Sequence, residues 1–130
     1  MPESRARQYH RDRVAEALRE EIGAMIEGEL SDPRISFAYV TQVVLNPGGK
    51  SGLIYIAVDG GPEEEKNTIE GLMAARGYIR RELLERLGTR RVPDLVFHID
   101  RSDKIKARID ELLGRKRNRQ KEATGSQGKE

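Results

Sequence analysis

Six arginines fall within one short stretch, at positions 76, 80, 81, 86, 90 and 91, against two acids, Glu82 and Glu85, a local charge of +4 in a chain whose total is +2. Guanidinium groups at that density suit the neutralisation of phosphates, because clustered cations gain from releasing the counterions condensed on a polyanion. The termini repeat the bias. Residues 1–13 hold four Arg against two acids, and Arg115, Lys116, Arg117, Arg119 and Lys121 follow with no acid among them. The rest of the body is net acidic, so positive charge is placed rather than spread, and nucleic acid is the leading partner class. Charged surface is also ordinary in a chain with 35% charged residues, and for the basic tail alone a solubilising role is the better reading.

At the head of the arginine-rich stretch, Ala75-Arg76-Gly77 interrupts an amphipathic helical pattern. Glycine accepts backbone geometry that other residues resist, and inside a helix it costs about 1 kcal/mol relative to Ala, so a bend is expected at Gly77. A bend exposes the first amides of the following helix, whose partial positive charge attracts phosphate, and Arg76 and Arg80 stand one turn apart beside them. The expected RNA-binding set joins Arg76, Gly77 and Arg80 to Arg90 and Arg91 of the next turn. Arg11 and Arg13 in the N-terminal arm and Arg115, Lys116 and Arg117 in the tail complete it. Arg81 is expected to pair with Glu85 at four-residue spacing, and Arg86 to be structural.

Other residues with chemical potential read differently. His98 and Asp100 fall on one side of a candidate strand, and Ser36, Ser51 and Ser102 offer hydroxyls, but no serine lies in a nucleophile-elbow motif. His98 reads as a hydrogen-bonded structural residue, and His10 and His98 do not supply paired metal-ligand spacing. Gly48-Gly49-Lys50 reads as a turn between hairpin strands rather than a phosphate cradle. Gly60-Gly61-Pro62 does precede a helix, but Glu63, Glu64 and Glu65 would repel an anion there. No metal, cofactor or small-molecule substrate is expected.

The elements that must carry these residues follow from periodicity and breakers. Val14, Leu18, Ile22, Met25, Ile26 and Leu30 keep a helical period over roughly 12–30, ended by Asp32-Pro33. The β-branched run 39–45, the turn 46–50 and the run 53–58 predict a hairpin. Pro62 opens a second helix running to about Ala75, with acids in its first turn. Ile79, Leu83 and Leu87 resume a helical stripe capped by Gly88. Leu95, Phe97 and Ile99 share one face of a third strand, and Ile105, Ile109, Leu112 and Leu113 mark a last helix. The order is α-β-β-α-α-β-α. Three regions are expected: a mobile basic arm at 1–11, one domain at 12–113, and a disordered basic tail at 114–130.

Composition bounds the answer. At 130 residues the chain fits one core of modest size, with 36% hydrophobic residues and only four Tyr and two Phe. That aromatic content predicts no extended platform for stacking bases, so electrostatics and shape should dominate recognition. The absence of Cys excludes thiolate metal sites and thiol nucleophiles and is compatible with a reducing cytosol. No apolar run approaches the ~20 residues of a membrane-spanning helix, and the Arg-rich start lacks the apolar block of a secretory signal. A cytoplasmic monomer without membrane contact is the expectation.

The α-β-β-α-α-β order with a glycine-marked helix junction resembles a type II KH domain, an RNA-binding α+β fold with a three-stranded sheet packed on helices. Ordinary members carry Gly-x-x-Gly at that junction; Ala75-Arg76-Gly77 departs from it and removes the usual nucleic-acid clamp. The departure resembles ribosome-binding factor A, a family of bacterial small-subunit maturation factors. Arg13-Val14-Ala15-Glu16, Leu30-Ser31-Asp32-Pro33-Arg34-Ile35, Gly77-Tyr78-Ile79-Arg80-Arg81-Glu82-Leu83 and Arg91-Val92-Pro93-Asp94-Leu95 look like that family's motifs, over roughly residues 10–113. The resemblance implies a non-catalytic cytosolic factor that binds the free 30S subunit or its precursor near the 5′ helix and neck of 16S rRNA. It further implies assistance to late rRNA processing and maturation. On the residues alone, a protein-interaction module using the basic segments and, much lower, a small hydrolase using His98 and Asp100 stay open.

Overall fold

A computed structural model describes residues 3–128, with side chains described up to Arg119. The chain divides into one compact unit ending at Asp100 and a second made of residues from Arg101 onward. In the first, α1 (Arg5–Ala24) runs into a π-helical turn (Met25–Glu29), followed by β1 (Ala38–Leu45), β2 (Ser51–Val58), α2 (Pro62–Ala74), α3 (Arg76–Leu87) and β3 (Asp94–Ile99). This is the expected α-β-β-α-kink-α-β order of an α+β, type II KH-like layout. The second unit is the single helix α4 (Ser102–Gly128).

The sheet order is β1-β2-β3. β1 and β2 pair antiparallel through the predicted hairpin, with a bulge between Val40 and Gln42, and β3 joins β2 in parallel. The turn reading of Gly48-Gly49 holds for a conformational reason: both have positive φ, at 90° and 69°, where side chains are strained. Gly88 ends α3 in the left-handed conformation, φ 63°, as its cap position requires.

One side of the sheet faces the helices. Val40, Val43 and Leu45 from β1, Ile54 and Ile56 from β2, and Leu95 and Phe97 from β3 are buried with Leu18 and Ile22 of α1, Met25 and Ile26 of the π turn, Leu72 of α2, and Ile79 and Leu83 of α3. Alternation along the strands and the helical period of Leu18, Ile22 and Ile79, Leu83 are therefore two projections of one core. The approach between α2 and the preceding loop is close: a Cβ on Gly71 would lie 2.7 Å from Ile35 Cγ1. The Ser36 N–H donates to buried Thr68 Oγ1 at 3.2 Å, which fixes that loop against α2.

Two boundaries differ from the sequence reading. α1 begins at Arg5 rather than 12, because Ser4 caps it by accepting the Arg7 N–H at 3.2 Å, and the arm at 5–11 is helical. The last helix continues past 113 into the stretch read as a tail, where Arg, Lys, Gln, Glu and Ala are strong helix formers that need no buried face to adopt the conformation. The division at Asp100 also separates α4 from the unit that a single 12–113 domain would have joined. Residues 1, 2, 129 and 130 of the expected arm and tail lie outside the described residues.

Candidate nucleic-acid interface

The junction between α2 and α3 is Ala75, with φ −85° and ψ −2°, a bridge conformation that lets the chain stop one helix and start the next. The Ala75 N–H still bonds Gly71 O at 3.0 Å, and the Ile79 N–H bonds Ala75 O at 2.9 Å. No side chain caps α3. Arg76, Gly77 and Tyr78, the first residues of α3, are all exposed.

The bend expected over Ala75-Arg76-Gly77 is made at the first of these, the alanine, and not by the glycine. Gly77 has no positive φ and sits in the regular first turn of α3. A Cβ there would meet nothing within 4 Å, so no contact inside the protein requires glycine. What the glycine does is leave the backbone of that exposed turn without a side chain over it.

The arginines separate into two groups. Arg86 is an internal clamp: its guanidinium donates to Glu29 (Nη1 to Oε2 at 2.9 Å, with a second bond from Nη2), to Glu82 at 3.0 Å and to Glu21 at 3.4 Å. It ties α3 to α1 and the π turn, as the structural reading of this residue requires. Its hydrogen bonds, first to Glu29, raise its pKa further above the ordinary arginine value, and the same contact lowers that of Glu29. Arg76, Arg80, Arg81, Arg90 and Arg91 are exposed, and none has an ion-pair partner within 4 Å among the described residues. Arg81 was expected to pair with Glu85, but the i,i+4 pair that forms is Glu82–Arg86, where the acid precedes the base, the orientation favoured on a helix.

The free arginines do not make one compact patch. Arg76 and Arg80 stand at the start of α3 and Arg90 and Arg91 just beyond its end, so about 18 Å of helix axis separates the extremes. The sequence reading joined Arg76, Arg80, Arg90 and Arg91 as one patch; the structure sets the first two at the start of α3 and the last two beyond its C-terminal cap. It adds Lys50, which the turn reading passed over: the Asp94 N–H bonds Lys50 O at 2.9 Å, bringing the hairpin tip beside the segment after Arg91. Only tertiary pairing could have found it.

The remaining candidates are engaged locally. Arg11 pairs with Glu3 at 2.7 Å with its side chain only 18% exposed, and Arg13 lies over the Tyr9 ring, 5.8 Å from its centroid. Arg115 pairs with Glu111 at 2.6 Å, while Lys116 and Arg117 are exposed on α4. At the α2 start the Glu64 carboxylate accepts the Gly61 N–H at 2.9 Å, so the amide that a nucleotide loop would offer is already taken. The His98 side chain makes no hydrogen bond among the described residues; it is exposed, its ring 6.0 Å from that of Tyr55, which corrects its reading as a hydrogen-bonded structural residue. Asp100 accepts from the Thr41 hydroxyl at 2.6 Å and so is oriented toward β1.

Residues 10–113 match the family model for ribosome-binding factor A. The chain belongs to the ribosome-binding factor A family. It is 48% identical over 119 residues to the ribosome-binding factor A of Koribacter versatilis (strain Ellin345), covering 92% of this chain and 97% of that protein. The fold is shared with the crystal structure of ribosome-binding factor A from Thermus thermophilus, with TM-score 0.63 and 24% identity over 71% of this chain and 97% of that one. A homology model of the Thermus thermophilus factor, fitted into a cryo-EM map of a complex with the 30S subunit, is also similar, with TM-score 0.55 and 26% identity over 67% of this chain and 91% of that one. Among the described residues, no helix is long and apolar enough to cross a membrane.

Proposed function

We propose that this protein is a cytoplasmic 30S assembly factor that binds the free small subunit or its precursor through 16S rRNA, in the region of the 5′ helix and neck. It acts as a monomer and without catalysis, assisting late 16S rRNA processing and 30S maturation. The Thermus relative fitted into a 30S complex supports the partner. The observation that carries the reading in this chain is the α2–α3 junction, where an exposed helix start without a side-chain cap carries a bare glycine and two unpaired arginines within about one turn.

That arrangement binds without reading sequence. Backbone amides at a helix start and guanidinium forks both prefer phosphate oxygens, so they position the protein on a folded RNA rather than report base identity. With Arg86 consumed by carboxylates, the arginines along α3 can engage RNA at no cost to the internal clamp. Lys116 and Arg117 are further exposed cations, on α4.

Gradient sedimentation of a cell extract at low and high salt, probing fractions for the protein and for precursor and mature 16S rRNA, tests the proposal. Salt-sensitive comigration with free small subunits, and not with full ribosomes, is expected. Migration only at the top of the gradient at both salts refutes it and brings forward the reading as a protein-interaction module.

A further inference from the structure

The helices cover one face of the sheet, and the other face has an unusual composition. Across the strands its side chains form rows set by the register: Val44, Leu53 and Val96 in one, Gln42, Tyr55 and His98 in the next, and Tyr39 beside Ala57 beyond them. Val44 is 36% exposed, Val96 42% and Tyr39 45%, so this is open surface. A solvated sheet face ordinarily alternates charged and polar residues with the core. None of these eight positions carries Asp, Glu, Lys or Arg, in a chain with 35% charged residues.

The rings are arranged together. Tyr55 on the central strand and His98 on the neighbouring edge strand are direct register partners with centroids 6.0 Å apart and planes inclined at 33°. Composition predicted no platform of this kind, because six aromatic residues scattered along a sequence give no sign that strand pairing gathers them. The cations stand at one end of the face. Lys50 immediately precedes β2, its carbonyl holds the first residue of β3, and Arg90 and Arg91 lie just before that strand. Residues 46–58 and 88–97 contain a single acid, Asp94, which leaves the margin positive.

We propose that the open face of the sheet is a stacking platform for unpaired RNA bases. Tyr55 and His98 take base planes, the row of Val44, Leu53 and Val96 excludes water beside them, and Lys50, Arg90 and Arg91 hold the flanking phosphates. The chemistry suits single-stranded RNA, since paired bases hide their faces in the stack whereas unpaired ones expose them to aromatic rings. The composition of the face favours RNA: its three rows are uncharged, as bases are, the one acid of the adjoining row, Asp94, stands at the margin, and the cations Lys50, Arg90 and Arg91 there outnumber it as phosphates require. The inference rests on the reading of the protein as an rRNA binder and adds a second kind of contact to it, distinct from the phosphate contacts of α3.

The test is NMR of the full chain, observing the Tyr and His ring protons, titrated with single-stranded hexauridylate and hexaadenylate and with a fully paired RNA hairpin. Upfield shifts of the Tyr55 and His98 ring signals with the single strands, absent with the hairpin, are expected. Tyr55→Leu combined with His98→Leu weakens the single-strand affinity by about tenfold or more, whereas Tyr55→Phe, which keeps the ring, preserves it. Ring signals unmoved by either single strand, or a double variant that binds like the wild type, overturn the platform. Sedimentation with free small subunits separates the two levels: comigration with silent rings removes the platform alone, and loss of both removes the assembly-factor reading with it.

Discussion

Neutralising single arginines should sort them by whether their charge faces outward. Five arginines on and beside α3 have no carboxylate within ion-pair distance among the described residues, whereas Arg86 is surrounded by Glu21, Glu29 and Glu82. If each free arginine neutralises one phosphate, the logarithm of the affinity for rRNA falls with the logarithm of salt at a slope of about −3.5 to −4.5, from a contribution of roughly 0.7 to 0.9 per contact. Affinity then drops about 100- to 500-fold between 50 and 200 mM salt. Arg76→Gln with Arg80→Gln removes two contacts, lowers the slope to about −2.1 to −2.7, and reduces that drop to roughly 20- to 40-fold. Arg86→Gln leaves the slope unchanged, because its charge is compensated inside the protein, yet lowers thermal stability by stranding three carboxylates. The assay is fluorescence anisotropy of labelled precursor 16S rRNA fragments across a salt series, with melting curves of each variant. A slope that falls as much for Arg86→Gln as for Arg76→Gln, or that does not fall for the double variant, refutes the division into clamp and contact arginines.

Three further outcomes follow from single positions. Gly77→Ala keeps or raises the melting temperature, by up to about 1 kcal/mol of stability since its helical site is open, but weakens binding to 30S subunits by placing a methyl on the exposed backbone at the start of α3; thermal melts beside cosedimentation check both signs. Gly71→Val lowers stability by about 1–3 kcal/mol in denaturant unfolding, because its side chain would enter space that Ile35 occupies. The Arg34 side chain, and then its N–H, bonds Asp32 and holds that carboxyl down to about 2. A carboxyl lowered in the folded state stabilises above its unfolded pKa and loses that stabilisation as pH falls through the folded value. The stability gap between wild type and Asp32→Asn should therefore be full at neutral pH, shrink below about pH 4 and close near pH 2 in acid titrations followed by circular dichroism. A gap unchanged at pH 2 refutes that assignment.

Much of the fold was legible because the chain repeats its signals. The apolar period of Leu18, Ile22 and Met25, the glycines of the hairpin turn and the glycine cap at position 88 each state a local conformation that the core then uses. The ends were read poorly for the opposite reason. Helix at 5–11 and beyond 113 rests on a cap and on residue propensity rather than on a buried stripe, and a search for apolar periodicity passes over both. The Glu82–Arg86 pair was missed because it belongs to a four-member cluster whose other carboxylates come from positions 21 and 29, far away in sequence. Lys50, Tyr55 and His98 were undervalued on the same ground, since parallel pairing of β2 with β3 is invisible until the strands are placed.

Gly77 shows where such reading reaches its limit. A glycine at a helix junction has two physical justifications: a backbone conformation that side chains resist, or a surface that something else must approach. The sequence cannot separate them, and the expectation of a bend took the first. The structure removes it, because the junction angle is made at Ala75, the φ of Gly77 is not positive and no neighbouring atom would touch its Cβ. What is left is approach from outside the protein, at an exposed helix start that no side chain caps. A residue that the fold does not require, beside arginines that the fold does not pair, is better explained by a partner than by the chain itself. The Gly77→Ala variant carries that conclusion: a gain in stability together with a loss of binding has no explanation within the isolated fold.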